Sequence, residues 1–232
     1  MAFFYENFIA GGAYLFFLRS LGVTLLITAF GLLLGTISGV ILCILSRSPF
    51  RVLRAVSQIY FLFMGGTPIL LVLMLFYYVI LAPAGTSALV TSIIAFGLRS
   101  GALLGEIMKS ALNSVDAGQI LAARTLGFSR TGAFFYITLP QAIRFGKPLY
   151  RHSAITLLQD TSVVGYITVN DLTRVVSNMG SRTGNPLMSL AVGIVLYLLL
   201  SSFISLFFQA GKRRSFAARV VAAKGTSAVK AA

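Results

Sequence analysis

Acidic side chains are nearly missing from this chain. Five Asp and Glu stand against 19 Lys and Arg, with one histidine and one cysteine. The lone cysteine, Cys43, excludes a disulfide or a zinc site within one chain and reads as a small buried hydrophobe. One histidine and no carboxylates paired at useful spacing leave no constellation for acid–base or nucleophilic catalysis. The Gly-x-x-x-x-Gly-Lys-Ser/Thr loop is missing too, so the chain has no such cradle for nucleotide phosphates. Charge of either sign is scarce, at 10% of residues, where soluble domains carry about 25%.

What is present is oil. Residues 20–46 and 55–98 contain no charged side chain. A membrane-spanning helix needs roughly 20 apolar residues, so the first run holds one span and the second holds two. The chain reads as a polytopic, all-α membrane protein. No short apolar core with a small-residue cleavage site follows Met1, so the first span is expected to be retained. Most basic residues flank the apolar segments, which makes the +14 excess a topological signal rather than a nucleic-acid surface.

The spans are expected at about 21–45, 67–80, 88–107, 152–170 and 187–208, with a large loop at 109–151. Arg47, Arg51 and Arg54 end the first on the cytoplasmic side, and Val52–Met64 is expected to lie along the membrane. Gly65-Gly66-Thr67-Pro68 then breaks the backbone ahead of the second. The span at 152–170 is moderately apolar and carries Gln159 and Asp160 at its middle. It is inferred from topology: the basic loop and the basic tail (Lys212, Arg213, Arg214, Arg219) both belong inside, so two crossings must separate them. The expectation is five spans, N-terminus outside and C-terminus inside, forming one transmembrane domain over 1–211. A basic cytoplasmic tail follows at 212–232, its last dozen residues expected to be disordered. Gly35 and Gly39 form a Gly-x-x-x-Gly pair suited to close helix packing and weakly suggestive of a dimer face.

The large loop carries the most specific pattern. Asp116-Ala117-Gly118-Gln119 reads as a capping box, with Asp116 capping a helix and Gln119 reaching back to it. The helix is expected to run to Leu126, with Gly127 in the left-handed position beyond it. Ser129 would cap a second helix ending near Leu139-Pro140. Ala122 and Ala123 let that face approach another surface closely. On pattern alone, a projecting knob and an ordinary interfacial loop helix fit equally well.

The stretch Gly118-Gln119-Ile120-Leu121-Ala122-Ala123-Arg124-Thr125-Leu126-Gly127, followed by Leu139-Pro140-Gln141-Ala142, resembles the coupling motif of permease subunits of bacterial ABC importers. The likeness is to the polar amino-acid uptake family, whose pattern is Gly-Gln-x-Glu-Ala-Ala-x-x-Leu-Gly, then Leu-Pro-Gln-Ala. Gly66-Thr67-Pro68, Glu106 and Asp160-Thr161-Ser162 match further blocks in order, so the resemblance covers roughly residues 15–210. Four positions depart from it: Gly65 for arginine, Leu121 for the motif glutamate, His152 for asparagine and Gln159 for lysine. That drift fits one half of a heterodimer, although a homodimer is equally compatible with the motif.

The resemblance implies a multi-pass permease of the bacterial inner membrane. It would build a pore with a second permease, dock its loop into an ABC ATPase subunit and receive substrate from an extracytoplasmic binding protein. ATP would be bound by the partner, and this chain would need no cofactor or metal. Coupling would rest on Gly118, Gln119, Leu121, Ala122, Ala123, Leu126 and Gly127. Gly66, Thr67, Pro68 and Glu106 would be structural or gating positions, Glu106 by contact with Lys109 or Arg124. Intramembrane charges default to functional readings. Arg99 and Asp160 are expected at similar depth on different helices, where with Thr161 and Ser162 they would line the substrate path. Either they receive the carboxylate and ammonium of an amino acid, or they pair with each other, or Asp160 bonds helix backbone and Thr161. A stand-alone channel or secondary carrier with a regulatory loop is the competing function, and a non-transporting assembly subunit is a third.

Overall fold

The structure, a computed structural model, describes residues 13–229, with side chains described for 14–209. The first twelve residues and the basic side chains of the tail at 212–232 lie outside those limits, and the last dozen residues, expected to be disordered, are helical as far as Val229.

The described residues form helices joined by short turns. Helix α1 (Ala13–Ser46) is apolar on nearly every face, as a membrane helix is. A short turn leads into α2 (Arg51–Gly66), then α3 (Ile69–Leu75), which widens into a π-helical turn at Phe76–Ile80. Helix α4 (Ala88–Asn113) follows, capped by Ser87, whose hydroxyl accepts from the Val90 N–H. The loop region holds α5 (Ala117–Thr125), α6 (Arg130–Ala133) and a π-helical turn at Phe134–Thr138. Helix α7 (Leu139–Asp160) tightens into a 3-10 segment at Thr161–Ile167, and α8 (Leu172–Thr183) and α9 (Pro186–Val229) complete the chain.

Among the described residues three helices are long and apolar enough to cross a membrane: Tyr14–Ser46, Ala88–Asn113 and Pro186–Gln209. A fourth crossing is counted only if α2 and the α3–π segment, bent by 109°, form one broken span. The expectation of five spans is therefore overturned at two places. Within residues 67–80 only Ile69–Ile80 is helical, a short rod of about 18 Å at ~1.5 Å per residue, well under the ~30 Å hydrocarbon layer. Thr67 and Pro68 are extended (ψ 133° and 137°), because the residue before proline is pushed out of the helical region. At 152–170 the chain is the end of a helix that began at Leu139 and carries Arg144, Lys147 and Arg151, followed by the 3-10 turn. Thr168 then takes a left-handed φ of 68° and ends the rod. No straight apolar helix stands there, and the outside-to-inside orientation of the termini, which required that crossing, loses its support.

The core is a seam between α1 and α4. Gly35 and Gly39 of α1 face Gly97, Gly101 and Gly105 of α4, so the two backbones approach closely. A Cβ on Gly39 would stand 3.0 Å from the Gly105 nitrogen and 3.1 Å from the Gly101 oxygen. Between apolar helices in lipid such close packing is a main source of attraction, because burial from water contributes nothing. The glycine pair in α1 thus serves an intramolecular seam. Ile27, Val72, Leu73, Ala95, Phe96 and Leu157 fill the cluster around it. Polar pins fasten the rest. Thr36 and Tyr150 hydroxyls meet at 2.7 Å, and the Thr24 hydroxyl accepts from the Leu172 N–H at 3.2 Å. Fully buried Asp171 caps α8, accepting from the Thr173 and Arg174 N–H groups at 2.9 and 3.1 Å. Burial pushes its carboxyl above the usual carboxylate range, and those backbone donors oppose the shift.

Candidate functional site

Two groups of the singled-out residues are brought together, one just beyond the C-terminal end of α4 and one at its middle. The first is the loop element. Asp116 is extended, and its Oδ1 accepts from the Gly118 N–H at 2.9 Å, satisfying one free donor of α5. At the other end Gly127 has φ 90°. The Phe128 N–H donates to the Ala123 carbonyl at 3.1 Å and the Gly127 N–H to the Arg124 carbonyl at 3.2 Å. These two bonds are the Schellman closure that a glycine at this position permits. Arg124 Nη1 also donates to the Phe128 carbonyl at 3.0 Å, and Ser129 Oγ accepts from the Gly132 N–H at 3.0 Å to start α6.

Two features differ from the sequence reading. Gln119 does not reach back to Asp116; its Oε1 accepts from Gln141 Nε2 at 2.6 Å, tying α5 to the start of α7. The second helix does not stop at Pro140. The π-helical turn carries it onward, with the Leu139 N–H reaching the Phe134 carbonyl, and Pro140 falls in the first turn of α7, where its missing N–H costs nothing. The outer surface of the element is apolar and open: Leu121 is 67% and Leu126 80% exposed. Gly118, Ala122 and Gly127 are exposed beside them, whereas Ala123 is buried.

The second group surrounds Arg99, midway along α4. Arg99 Nη1 lies 3.6 Å from Asp160 Oδ2, the only ion pair among the described residues. Its Nε donates to the Thr67 carbonyl at 3.5 Å. One guanidinium therefore joins two places where helical geometry is interrupted, the Gly66-Thr67-Pro68 break and the α7-to-3-10 junction. Both charged side chains keep about a quarter of their surface open, 23% and 26%. Thr161 is fully buried and its hydroxyl donates to the Leu158 carbonyl at 2.6 Å, while Ser162 is half-buried. Glu106 is exposed and makes no ion pair with Lys109 or Arg124 among the described residues. Tyr60, which the sequence reading passed over, donates to the Leu98 carbonyl at 3.0 Å and holds α2 beside this cluster. Among the described residues no group of His, Cys, Asp and Glu is arranged to hold a metal.

An apolar helical bundle with a capped, exposed helix pair and an ion pair on a helix long and apolar enough to cross a membrane fits a membrane transport subunit. The chain belongs to the family described as the binding-protein-dependent transport system inner membrane component, which matches residues 10–215. It is 29% identical to the glutamate/aspartate import permease protein GltK of Escherichia coli over 86% of this chain and 93% of that one. It is 30% identical to the histidine/lysine/arginine/ornithine transport system permease protein HisM of Salmonella typhimurium, over 83% and 86% of the two chains. Among solved structures, one titled an amino acid ABC transporter with histidines superposes with a TM-score of 0.77 at 27% identity, covering 86% of this chain and 94% of that one. The methionine transporter MetNI, at 20% identity and a TM-score of 0.70, shares the fold. The protein is thus a non-catalytic, multi-pass inner-membrane subunit that functions with ATPase subunits, a paired permease and a substrate-binding protein.

Proposed function

We propose that this chain is the permease of an ATP-driven amino-acid importer, in which α5, Gly127 and α6 receive the push of the ATPase and Arg99 with Asp160 meets the substrate. The curated relatives named for amino-acid import support the substrate class. One observation carries the coupling part: α5 is capped at both ends and presents Leu121 and Leu126 outward, so it is stiff and uncovered. A stiff helix transmits displacement. A frayed one would absorb it. Gly118, Gln119, Leu121, Ala122, Ala123, Leu126 and Gly127 make up this element, Ala123 from beneath and the others at its surface.

For the substrate, an amino acid carries one cation and one anion, the complement of a partly open arginine–aspartate pair. Binding would exchange the weak 3.6 Å contact for two new ones, with Thr161 and Ser162 holding the adjoining turn. Gly66, Thr67 and Pro68 let α3 swing against α2, and Glu106 is the free carboxylate one α4 turn before Lys109. The test has two arms. Cysteine crosslinks from Ala122 and Gly127 should reach the ATPase subunit, and Asp160→Asn with Arg99→Gln should each lower uptake and substrate-stimulated ATP hydrolysis. Crosslinks that never reach the ATPase sink the coupling role, and unaltered uptake in both variants sinks the substrate role.

A further inference from the structure

At the end of the bundle where α1 and α4 both stop lies an open groove enclosing about 420 Å³. Its floor is apolar: Cys43 and Ile44 from α1, Leu112 from α4, and Phe134 from the π-helical turn beyond α6. At its mouth, where α1 gives way to the turn before α2, stand Arg47, Ser48 and Pro49. Charge and apolar surface are therefore divided between two ends of one cleft.

Among the described residues no acid forms an ion pair with the basic end. Arg47, Arg51 and Arg54 are all exposed, and none forms an ion pair among the described residues. The Arg47 guanidinium is steadied by Nη1 donating to the Asn113 side-chain oxygen, which leaves most of its five N–H donors unused. Lys109 is near enough to act electrostatically on Cys43, as Arg47 is. The acid closest in sequence, Glu106, is not one of the groove residues. A strongly positive mouth held in place by an amide, with no carboxylate across it, is complementary to a phosphate.

The apolar end decides what kind of phosphate. Ile37, Ile41 and Ile44 lie on one face of α1 at helical spacing, exposed to 53%, 52% and 65%. This stripe runs along a membrane-spanning helix and ends at Ile44, which lines the groove together with Leu112 and Phe134. A free anion would have no use for it. An acyl chain has. The groove also sits where two spanning helices end, at Ser46 and Asn113, which is the level of lipid headgroups.

We propose that this groove is a binding site for an anionic phospholipid, with the phosphate against Arg47, exposed Arg51 adding positive charge from the first residue of α2, and one acyl chain along Ile44, Leu112 and Phe134. Because Phe134 continues directly from α6, the bound lipid would bear on the segment that joins the exposed helix pair to α7. The lipid site itself does not depend on what that helix pair contacts.

The full chain in nanodiscs, read by native mass spectrometry and by competition of a fluorescent lipid, tests this. Phosphatidylglycerol should be retained at least about tenfold more strongly than phosphatidylcholine, since each basic residue near the headgroup adds materially to attraction. Arg47→Ala with Arg51→Ala should erase that preference. Leu112→Trp, which fills the floor and leaves every charge in place, should also weaken phosphatidylglycerol binding, and Phe134→Ala should do so without adding bulk. Inorganic phosphate at millimolar concentration should not compete. Equal retention of the two lipids, or an undiminished preference in the arginine variant, overturns the site. Wild-type binding in both Leu112→Trp and Phe134→Ala means attraction to a charged surface only, and competition by phosphate means a free-anion site; either overturns it as well.

Discussion

The α1–α4 seam and the α5–α6 element reach rigidity by opposite routes. In the seam, side chains have been reduced to hydrogen at Gly35, Gly39, Gly97, Gly101 and Gly105, and stiffness comes from backbone packed on backbone. The α5–α6 element touches little and is held by bonds within itself: a capping carboxylate, a Schellman closure, and a hydroxyl cap on α6. The seam suits a part that must not move internally. The capped pair suits a part that must be gripped from outside. Arg99 is on the same helix as the seam glycines yet bonded to both helix breaks. A displacement applied to the exposed pair has a fixed frame to act against and two interrupted helices to move.

The largest expected effect would test the seam. Gly39→Leu places a side chain where a Cβ alone would be 3.0 Å from the Gly105 nitrogen, and backbone cannot step aside. Overpacking of this kind costs about 1–3 kcal/mol, and more when the obstacle is main chain. The variant should show a sharply lowered thermal transition in detergent and poor recovery from membranes. A wild-type transition would mean that the seam is softer than its geometry. Gly65→Ala, where nothing lies within 4 Å of the added Cβ, is the matched control and should have a small effect.

Next comes the ion pair. Arg99→Gln leaves Asp160 without its cation and releases the Thr67 carbonyl, so uptake should fall by about tenfold or more, ~1.4 kcal/mol. Asp160→Asn should do the same, and the double variant should lose less than the sum, as contacting groups do. Additive losses would show that the two residues act separately. Stability should change less than for a closed ion pair, because both side chains remain partly open to solvent.

Smaller still is the cap. Asp116→Ala removes the acceptor of the Gly118 N–H and should cost about 1 kcal/mol, confined to α5. Hydrogen exchange should quicken in Ala117–Thr125 and stay unchanged in α4. If α4 responds too, the loop element and the bundle are one cooperative unit and the contrast between them fails.

How much of this was written in the sequence varies with the kind of signal. Helices α1, α4 and α9 announce themselves as long apolar stretches with few charges, since lipid demands it, and the three helices long and apolar enough to cross a membrane overlap the stretches expected at 21–45, 88–107 and 187–208. The α5 boundaries were equally legible, because a capping aspartate and a left-handed glycine are local rules. The fourth span was inferred by counting crossings, and counting carries no information about whether the segment is straight; Gln159, Asp160 and the basic residues of α7 were the local evidence against it. Gln119 went to Gln141 rather than Asp116 because its partner lies 22 positions away, beyond the reach of a capping rule. Gly97, Gly101 and Gly105 repeat at the same interval as Gly35 and Gly39, so a comparison of the two helices would have identified the seam.

The finest prediction concerns Leu121. The coupling pattern that this stretch resembles has a glutamate there, and the leucine is 67% exposed. An exposed apolar side chain on a short capped helix contributes little to the fold, so Leu121→Glu should leave stability within about 0.5 kcal/mol. Restoring the acid also sets it three residues before Arg124, where the two side chains share a helix face. Arg124 already donates to the Phe128 carbonyl, and a new carboxylate would compete for that guanidinium and loosen the closure at Gly127. The leucine therefore suits a partner surface that is apolar opposite position 121. With the native ATPase, Leu121→Glu should lower the ratio of substrate moved to ATP hydrolysed while leaving the amount of assembled complex nearly unchanged. A variant that couples as well as the original would show that this position is not read by the partner, leaving Leu126 and Ala122 as the exposed candidates for that contact.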